Sequence, residues 1–339
     1  AAVDVMSSPA CLKPQHFAKQ TYQYTATNHY EQSLDVYLPV LDKQPEIPAA
    51  LAILVVGSGW LGHRSFVYTG TSWWNSAGPR AFARQGIPCI CVRHRGAFPH
   101  PPGMTGARMM ITVAVIVLAL SAQAQIMAAS LAAFLLLVWV LWIACARGSA
   151  SFDAMLDDVV SALCWIRSNT QCATGGLRPP AAVIFGGYSS GAHVAASLLN
   201  RPHLLAARGL PAPCEGLCDG VLYVSGVLAT RPSECRLAPS WLTDAVVRVV
   251  FGKDEAFKMP SPLHEIKSEA PRVPHLLIGC KHEVFGLSLL DVFFCSADYA
   301  AALRQLGVPA RYLAVSSDHW RILNSRALSE VLGRERAWF

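Results

Sequence analysis

The sequence predicts one α/β domain built on a doubly wound, mostly parallel sheet and carrying an apolar helical insert. Short β-rich runs alternate with helical patterns along the chain, as they do where helices connect parallel strands. These runs are apolar at consecutive positions, which is typical of strands covered on both faces. The chain has 339 residues, of which 53% are hydrophobic, so it can bury enough surface to fold and is not disordered.

The first two strands are expected to form an antiparallel hairpin at the sheet edge, at Thr21–Thr25 and Leu34–Leu38. The later strands are predicted at Leu51–Val56, Pro88–Val92, Val183–Phe185, Gly220–Val224, His275–Ile278 and Arg311–Val315. Helices are predicted at Pro79–Arg84, Asp153–Ser168, Gly191–Leu199 and Ser296–Leu306. Either Ser151 or Asp153 is expected to cap the second of these helices.

We expect residues 1–20 to form an N-terminal extension and residues 21–339 the domain, interrupted by the insert at 106–148. Residues 109–146 carry no charge and are apolar enough to contact a membrane. Strands of one sheet cannot lie on opposite sides of a bilayer, so the insert must leave and return on one side. It is therefore predicted to be a membrane hairpin, a re-entrant pair or an apolar cap at the interface.

Arginines on both sides of this block favour a hairpin entered from the cytoplasm. This predicts a membrane-associated protein with a cytoplasmic catalytic domain, for example at the endoplasmic reticulum. Two alternatives remain open, namely a buried lid and a gene-model artefact, and either would give a soluble cytoplasmic protein. The net charge of +6, without a basic run or a nucleic-acid motif, gives no reason to expect a nucleic-acid partner.

The strongest motif is G-x-S-x-G at residues 187–191, which follows a predicted strand and precedes a predicted helix. In this position the glycines permit a sharp turn that lifts the Ser189 hydroxyl above the sheet. The helix N-terminus behind the turn favours developing negative charge. The motif therefore predicts a nucleophilic serine; the alternative is a glycine-rich turn with an inert serine.

A serine nucleophile needs a base and a group that orients the base. His319 follows the last predicted strand, where a doubly wound hydrolase places its base. His193 lies on the helix after the turn and is expected to pack rather than to catalyse. Glu283 follows the preceding strand closely and is the preferred acid, with Asp291 as the alternative.

The loop after the strand Leu51–Val56 contains small residues whose backbone N–H groups could approach a ligand closely. We expect the N–H groups of Ser58 and Gly59 to form an oxyanion hole with the N–H of Ser190. No metal or cofactor is expected, because a serine nucleophile with its base and acid needs neither.

Together these features resemble the α/β-hydrolase superfamily, in the carboxylesterase branch that includes hormone-sensitive-lipase-like enzymes, kynurenine formamidase and isoprenylcysteine methylesterase-like proteins. The resemblance covers residues 20–325 without the uncharged block. It rests on the entry strand at 34–39, the HGGGW-type loop at 57–60, the pair at 94–95, the helix bearing Asp158, Val159 and Trp165, and the segment 189–193, which is close to the SAGAH of these proteins.

The chain departs from this pattern at three places. Val56 stands where the family loop has histidine, and Ser58 replaces its middle glycine. The usual aspartate of the family aligns near His282, one place before Glu283. The apolar insert is not part of the family pattern.

The resemblance and the residues together predict a serine hydrolase that cleaves carboxylic esters of small or lipid-like molecules through an acyl-enzyme. Two alternatives remain open. One is an amide hydrolase of the arylformamidase type, and the other is a catalytically silent, membrane-associated interaction protein.

Overall fold

Strands and helices alternate along the described chain. The computed structural model describes residues 17–27, 30–40, 50–60, 72–83, 85–97, 150–176, 179–230, 259–266, 271–283, 294–319, 322–324 and 326–334. The strands are β1 (Phe17–Gln23), β2 (Ser33–Pro39), β3 (Leu51–Val55), β4 (Cys89–Val92), β5 (Val183–Tyr188), β6 (Gly220–Val224), β7 (His275–His282) and β8 (Ala310–Asp318). The helices are α1 (Ser72–Ala83), α2 (Phe152–Ser168), α3 (Thr170–Thr174), α4 (Ser190–Leu199), α5 (Pro202–Ala206), α6 (Pro262–Glu265), α7 (Ser296–Gln305) and α8 (Arg326–Arg334), with 3₁₀ turns at Pro213–Glu215 and Ile322–Asn324.

The strands form one sheet in the order β1-β2-β4-β3-β5-β6-β7-β8. The pairs β1–β2 and β2–β4 are antiparallel, and the remaining pairs are parallel. The predicted doubly wound, mostly parallel sheet is thus confirmed. From β3 the chain crosses towards β4, whereas from β5 it crosses towards β6. The connections from β3 and from β5 therefore leave the carboxyl edge of the sheet in opposite directions, and this is the edge where α/β proteins bind ligands.

Several strands are longer than their apolar runs suggest. β5 continues through Gly186 and Gly187 to Tyr188, and β7 continues to His282. Gly186 has to lack a side chain, because a Cβ there would lie 1.8 Å from the Leu222 carbonyl oxygen of β6. Close packing against the β6 backbone thus explains why β5 contains glycine at the position that follows its apolar run.

The sheet separates two apolar cores. On one face, α2 and α4 pack against the central strands together with part of α7. On the other face, α1 and α8 cover β3, β5 and β6. The helix α2 begins as predicted, since the Ser151 hydroxyl accepts a hydrogen bond from the Ala154 N–H at 3.2 Å. Ser151, rather than Asp153, is therefore its N-cap.

A buried carboxylate on α2 fastens this helix to the segment that follows β4. Both oxygens of Asp158 accept hydrogen bonds from the Arg95 guanidinium at 2.8–2.9 Å, and the Arg95 backbone N–H donates to it at 2.9 Å. Gln32 donates to the same carboxylate at 2.8 Å. Asp158 is 1% exposed, so its charge depends on these donors rather than on water.

The predicted N-terminal boundary and the predicted insert can each be compared with this fold. β1 begins at Phe17, which pairs with Pro39, so the sheet starts before the boundary expected at residue 21. The insert at 106–148, including the proposed membrane segment 109–146, lies outside the described residues. Among the helices that the structure does describe, none has the length and apolar character needed to cross a bilayer.

The Asp158 carboxylate offers a test of this packing. Asp158→Asn places an amide against the Arg95 guanidinium and leaves this partly buried cation, and the buried Gln32, without a charged acceptor. We expect the free energy of unfolding to fall by about 2–4 kcal/mol, because breaking a buried ion pair leaves the partner's charge uncompensated. Urea unfolding followed by circular dichroism measures this change.

The neighbouring Asp157 provides a matched control. It pairs with Arg208 on the surface, where both side chains are about half exposed. Asp157→Asn should change the free energy of unfolding by less than about 0.5 kcal/mol. Equal losses in the two variants would contradict a structural role for the buried pair.

Candidate active site

Ser189 stands at the turn between β5 and α4, at the carboxyl edge of the sheet. Its backbone has φ 55° and ψ −127°, a strained conformation for a residue with a side chain. The turn is tight, because a Cβ on Gly187 would lie 2.6 Å from the Gly191 carbonyl oxygen. A Cβ on Gly191 would lie 2.2 Å from the Val55 carbonyl oxygen. The glycines of the motif are therefore required by close backbone packing.

The structure brings the three predicted catalytic residues together. The distance from Ser189 Oγ to His319 Nε2 is 3.0 Å, and from His319 Nδ1 to Glu283 Oε2 it is 3.3 Å. All three residues are less than 10% exposed. An ionised carboxylate can only accept, so Nδ1 carries the proton and Nε2 is free to accept from the serine hydroxyl. The distance between His319 Nδ1 and Glu283 Oε2 lies within the range of distances found in catalytic sites before substrate binds.

An irregularity in the pairing of β7 with β8 aligns the histidine with the carboxylate. Cys280 lies opposite Val315, whereas His282 lies opposite Asp318, so β8 contains one extra residue between these pairs. Bulges of this kind re-aim the residues that follow them. Here the His319 N–H donates to the Glu283 carbonyl at 2.8 Å.

The Glu283 side chain is also held from the opposite side. Its Oε1 accepts a hydrogen bond from the Cys280 N–H at 2.8 Å, which leaves Oε2 directed at His319. Of the two candidate acids, Glu283 is thus in contact with His319. Asp291, the alternative, lies outside the described residues.

Aromatic side chains surround the His319 imidazole. The Tyr188 ring stacks on it with centroids 4.9 Å apart, and the Tyr188 hydroxyl donates to the His319 carbonyl at 2.6 Å. The Phe294 ring lies 4.9 Å from the same imidazole. Sequence reasoning missed both residues. Tyr188 could have been noticed as the residue directly before Ser189, but nothing in the sequence marks Phe294.

His193 faces away from the nucleophile, as predicted. Its Nδ1 accepts a hydrogen bond from the Trp60 indole N–H at 3.1 Å, and its Nε2 donates to the Pro260 carbonyl at 2.8 Å. One ring nitrogen thus accepts and the other donates, which is the pattern of a neutral imidazole. Burial lowers the pKa of His193 to about 4. This histidine links the loop after β3 to the segment preceding α6.

The loop after β3 lies against the turn at Ser189. A Cβ on Gly57 would lie 2.6 Å from the Ser189 Cβ. Of the expected oxyanion donors, Gly59 belongs to this loop and Ser190 is the first residue of α4. The Ser58 N–H instead donates to the Ser190 hydroxyl at 2.9 Å. No cluster of metal-ligating side chains occurs in the part of the chain that the structure describes.

The His193 geometry predicts a specific dependence of stability on pH. The unfolded histidine binds a proton below about pH 6.5, whereas the folded one resists protonation until about pH 4. Stability is therefore retained above pH 6.5 and lost as the pH falls towards 4. His193→Gln removes this titration, so the stability advantage of the unsubstituted protein over the variant should shrink by about 3 kcal/mol between pH 7 and pH 4.

Denaturant unfolding at a series of pH values measures this difference. Ser197→Ala, on the same helix and equally buried, is the control because it removes no titrating group. Its unfolding free energy should run parallel to that of the unsubstituted protein. If the His193→Gln curve also runs parallel to that of the unsubstituted protein, the pKa of His193 does not differ between the folded and unfolded states.

Comparisons with known proteins reveal similarity in structure alone. No protein-family profile matches the chain, and no curated protein matches it in sequence. Esterase B from Lactobacillus Rhamnosis aligns over 96% of this chain and 86% of its own, with a TM-score of 0.60 and 15% identity. The hyperthermophilic esterase from the archaeon Pyrobaculum calidifontis covers 96% and 88%, with a TM-score of 0.59 and 15% identity. Carboxyl esterase 2 from the fungus Tuber melanosporum covers 96% and 89%, with a TM-score of 0.58 and 12% identity. The chain therefore has the α/β-hydrolase fold that the sequence predicted.

Proposed function

We propose that this protein is a serine hydrolase that cleaves carboxylic esters through an acyl-enzyme. The observation that carries the proposal is the hydrogen-bonded series Ser189–His319–Glu283 at a strained turn on the carboxyl edge of the sheet. The structural neighbours are esterases, and one of these structures is of esterase B with a tributyrin phosphonate inhibitor.

In the proposed reaction each of the three residues has its own step. His319 Nε2 takes the proton from Ser189 Oγ as this oxygen attacks the acyl carbon, and the carbonyl electrons move to the oxygen. The imidazolium then gives its proton to the departing alcohol, which leaves an ester of Ser189. Water, activated by the same imidazole, releases the acid and restores the serine. Glu283 holds the ring through Nδ1 and stabilises its charged form.

The burial of the site strengthens these contacts. Because Ser189, His319 and Glu283 are nearly excluded from water, the attraction between carboxylate and imidazolium is screened little. The stacked Tyr188 ring adds a π face on which a cationic imidazole is stabilised. Both contacts are formed in the structure, and electrostatic stabilisation of a transition state depends on contacts that are formed in advance.

Labelling with a fluorophosphonate tests the nucleophile directly. We expect a single adduct on Ser189, identified by peptide mass in detergent-solubilised protein, and its loss in His319→Ala. Ester turnover should fall by about 10⁴-fold or more in Ser189→Ala, because the acyl-enzyme cannot form. Folding of each variant is checked by circular dichroism.

The acid is tested in the same assay. Glu283→Gln should slow labelling at Ser189 by a factor of about 10² or more, whereas Asp291→Asn should label normally. The reverse pattern would transfer the role to Asp291. A folded protein that forms no adduct at all would instead support the catalytically silent interaction protein.

The substrate class is the second part of the proposal. We propose that the apolar segment 109–146 brings the site to a membrane surface, where it takes lipid-like esters such as a prenylcysteine methyl ester. This step rests on the sequence of the segment, whose 38 residues carry no charge. A protein lacking residues 109–146 should keep its turnover of p-nitrophenyl butyrate and lose at least tenfold on prenylcysteine methyl ester in vesicles.

Two results would overturn this assignment. Turnover of short soluble esters alone, unchanged by the deletion, would contradict a membrane substrate. Higher kcat/KM for N-formylkynurenine than for aryl esters would favour the amide hydrolase of the arylformamidase type, since the same nucleophile and base cleave both bonds.

A further inference from the structure

The hydroxyl of Ser190 contacts two backbone N–H groups of the loop after β3. Ser190 Oγ accepts from the Ser58 N–H at 2.9 Å and from the Trp60 N–H at 3.3 Å. Ser190 is fully buried, and Ser58 and Trp60 are both less than 10% exposed. A hydroxyl oxygen has two acceptor sites, so one side chain satisfies both donors. The loop is therefore fastened to the first residue of α4, directly after the nucleophile.

This loop is strained and needs such an anchor. Gly59 and Trp60 both have left-handed backbones, with φ of 58° and 60°. That conformation costs little for glycine but is unfavourable for tryptophan, and it persists only where neighbouring contacts enforce it. Besides Ser190, the Trp60 indole donates to His193 and its carbonyl accepts from the Ala97 N–H at 2.7 Å.

The anchor changes which N–H groups remain available to a substrate. The Ser58 N–H is engaged by Ser190 Oγ, so it is not directed at the space above Ser189. Gly59 is the partly exposed residue between two buried neighbours, and among the described residues its N–H has no acceptor. Ser190 begins α4, and the first N–H groups of a helix have no partner within it.

We propose that the Ser190 hydroxyl is a positioning group for the oxyanion hole, and that the N–H groups of Gly59 and Ser190, without that of Ser58, stabilise the oxyanion. The inference rests on the proposed serine-hydrolase function and narrows the donor set expected from the sequence. In the tetrahedral intermediate the former carbonyl oxygen carries the negative charge, and two N–H groups hold it. Ser190 thus contributes its backbone directly and its side chain indirectly.

Kinetics of Ser190→Ala test the positioning role. Loss of the hydroxyl releases the loop, so kcat for p-nitrophenyl butyrate should fall by about 10- to 100-fold while KM changes by less than about twofold. The inhibition constant of an alkyl trifluoromethyl ketone, which forms a tetrahedral anionic adduct with serine, should rise by the same factor as kcat/KM falls. A purely structural defect would lower the melting temperature, but the inhibition constant would then not rise by the factor by which kcat/KM falls.

Ser197→Ala is the matched control for this experiment. Ser197 lies on the same helix, is also fully buried, and its Oγ has no hydrogen-bond partner among the described residues. Its substitution should leave kcat and the inhibition constant unchanged. If Ser190→Ala behaves like Ser197→Ala, the positioning role is wrong.

A measurement on the unsubstituted protein does not depend on whether a variant folds. In ¹⁵N-labelled protein, the amides of Ser58 and Trp60 should be protected from hydrogen exchange both before and after adduct formation. The amides of Gly59 and Ser190 should shift downfield only in the trifluoromethyl ketone adduct, and the partly exposed Gly59 amide should also gain protection there. A downfield shift at Ser58 equal to that at Gly59 would overturn the assignment of donors.

The failures of the two proposals are distinguishable. If the unsubstituted protein forms no adduct at Ser189, the serine-hydrolase function fails and the oxyanion hole with it. If Ser189→Ala abolishes turnover while Ser190→Ala retains it in full, the function stands and the inference about Ser190 alone is wrong.

Discussion

The contact between the turn at Ser189 and the loop after β3 is the constraint on which the site depends. Gly57, Gly187 and Gly191 meet backbone at distances that no Cβ could occupy. This absence of side chains lets Ser189 take a strained conformation above the sheet. It also places the start of α4 beneath the neighbouring loop. The nucleophile, the helix N-terminus and the loop N–H groups are therefore positioned by one packing arrangement.

Backbone strain is concentrated at the same edge of the sheet. Among the described residues, the non-glycine positions with positive φ are Trp60, Ser189 and Ser225, which follow β3, β5 and β6. Strained positions of this kind persist only where their surroundings over-determine them. Trp60 is held by its indole and backbone hydrogen bonds, and Ser189 lies between tightly packed glycines. The two apolar cores on the faces of the sheet supply the rigidity that this requires.

Much of this arrangement could be predicted from the sequence. Continuous apolar runs locate parallel strands, and the G-x-S-x-G motif between strand and helix locates the serine. Glu283 was harder to place, because it comes one position after the place where the family that the sequence resembles carries the acid. Its alignment with His319 depends on an extra residue in β8, and no local pattern predicts a register shift between strands. The contacts of Tyr188 and Phe294 with the imidazole are likewise tertiary, since they join segments far apart in sequence.

Ser190 illustrates why a motif can indicate a role without fixing its chemistry. The sequence assigns this position a backbone N–H at the start of a helix, which any residue there could provide. The structure adds a hydroxyl that accepts hydrogen bonds from two N–H groups of a loop more than a hundred residues away in sequence. In a buried site such donors would otherwise be unsatisfied, at a cost of about 1–3 kcal/mol each. The side chain next to the nucleophile therefore determines which loop N–H groups remain for a ligand, and this follows from counting donors and acceptors rather than from the motif.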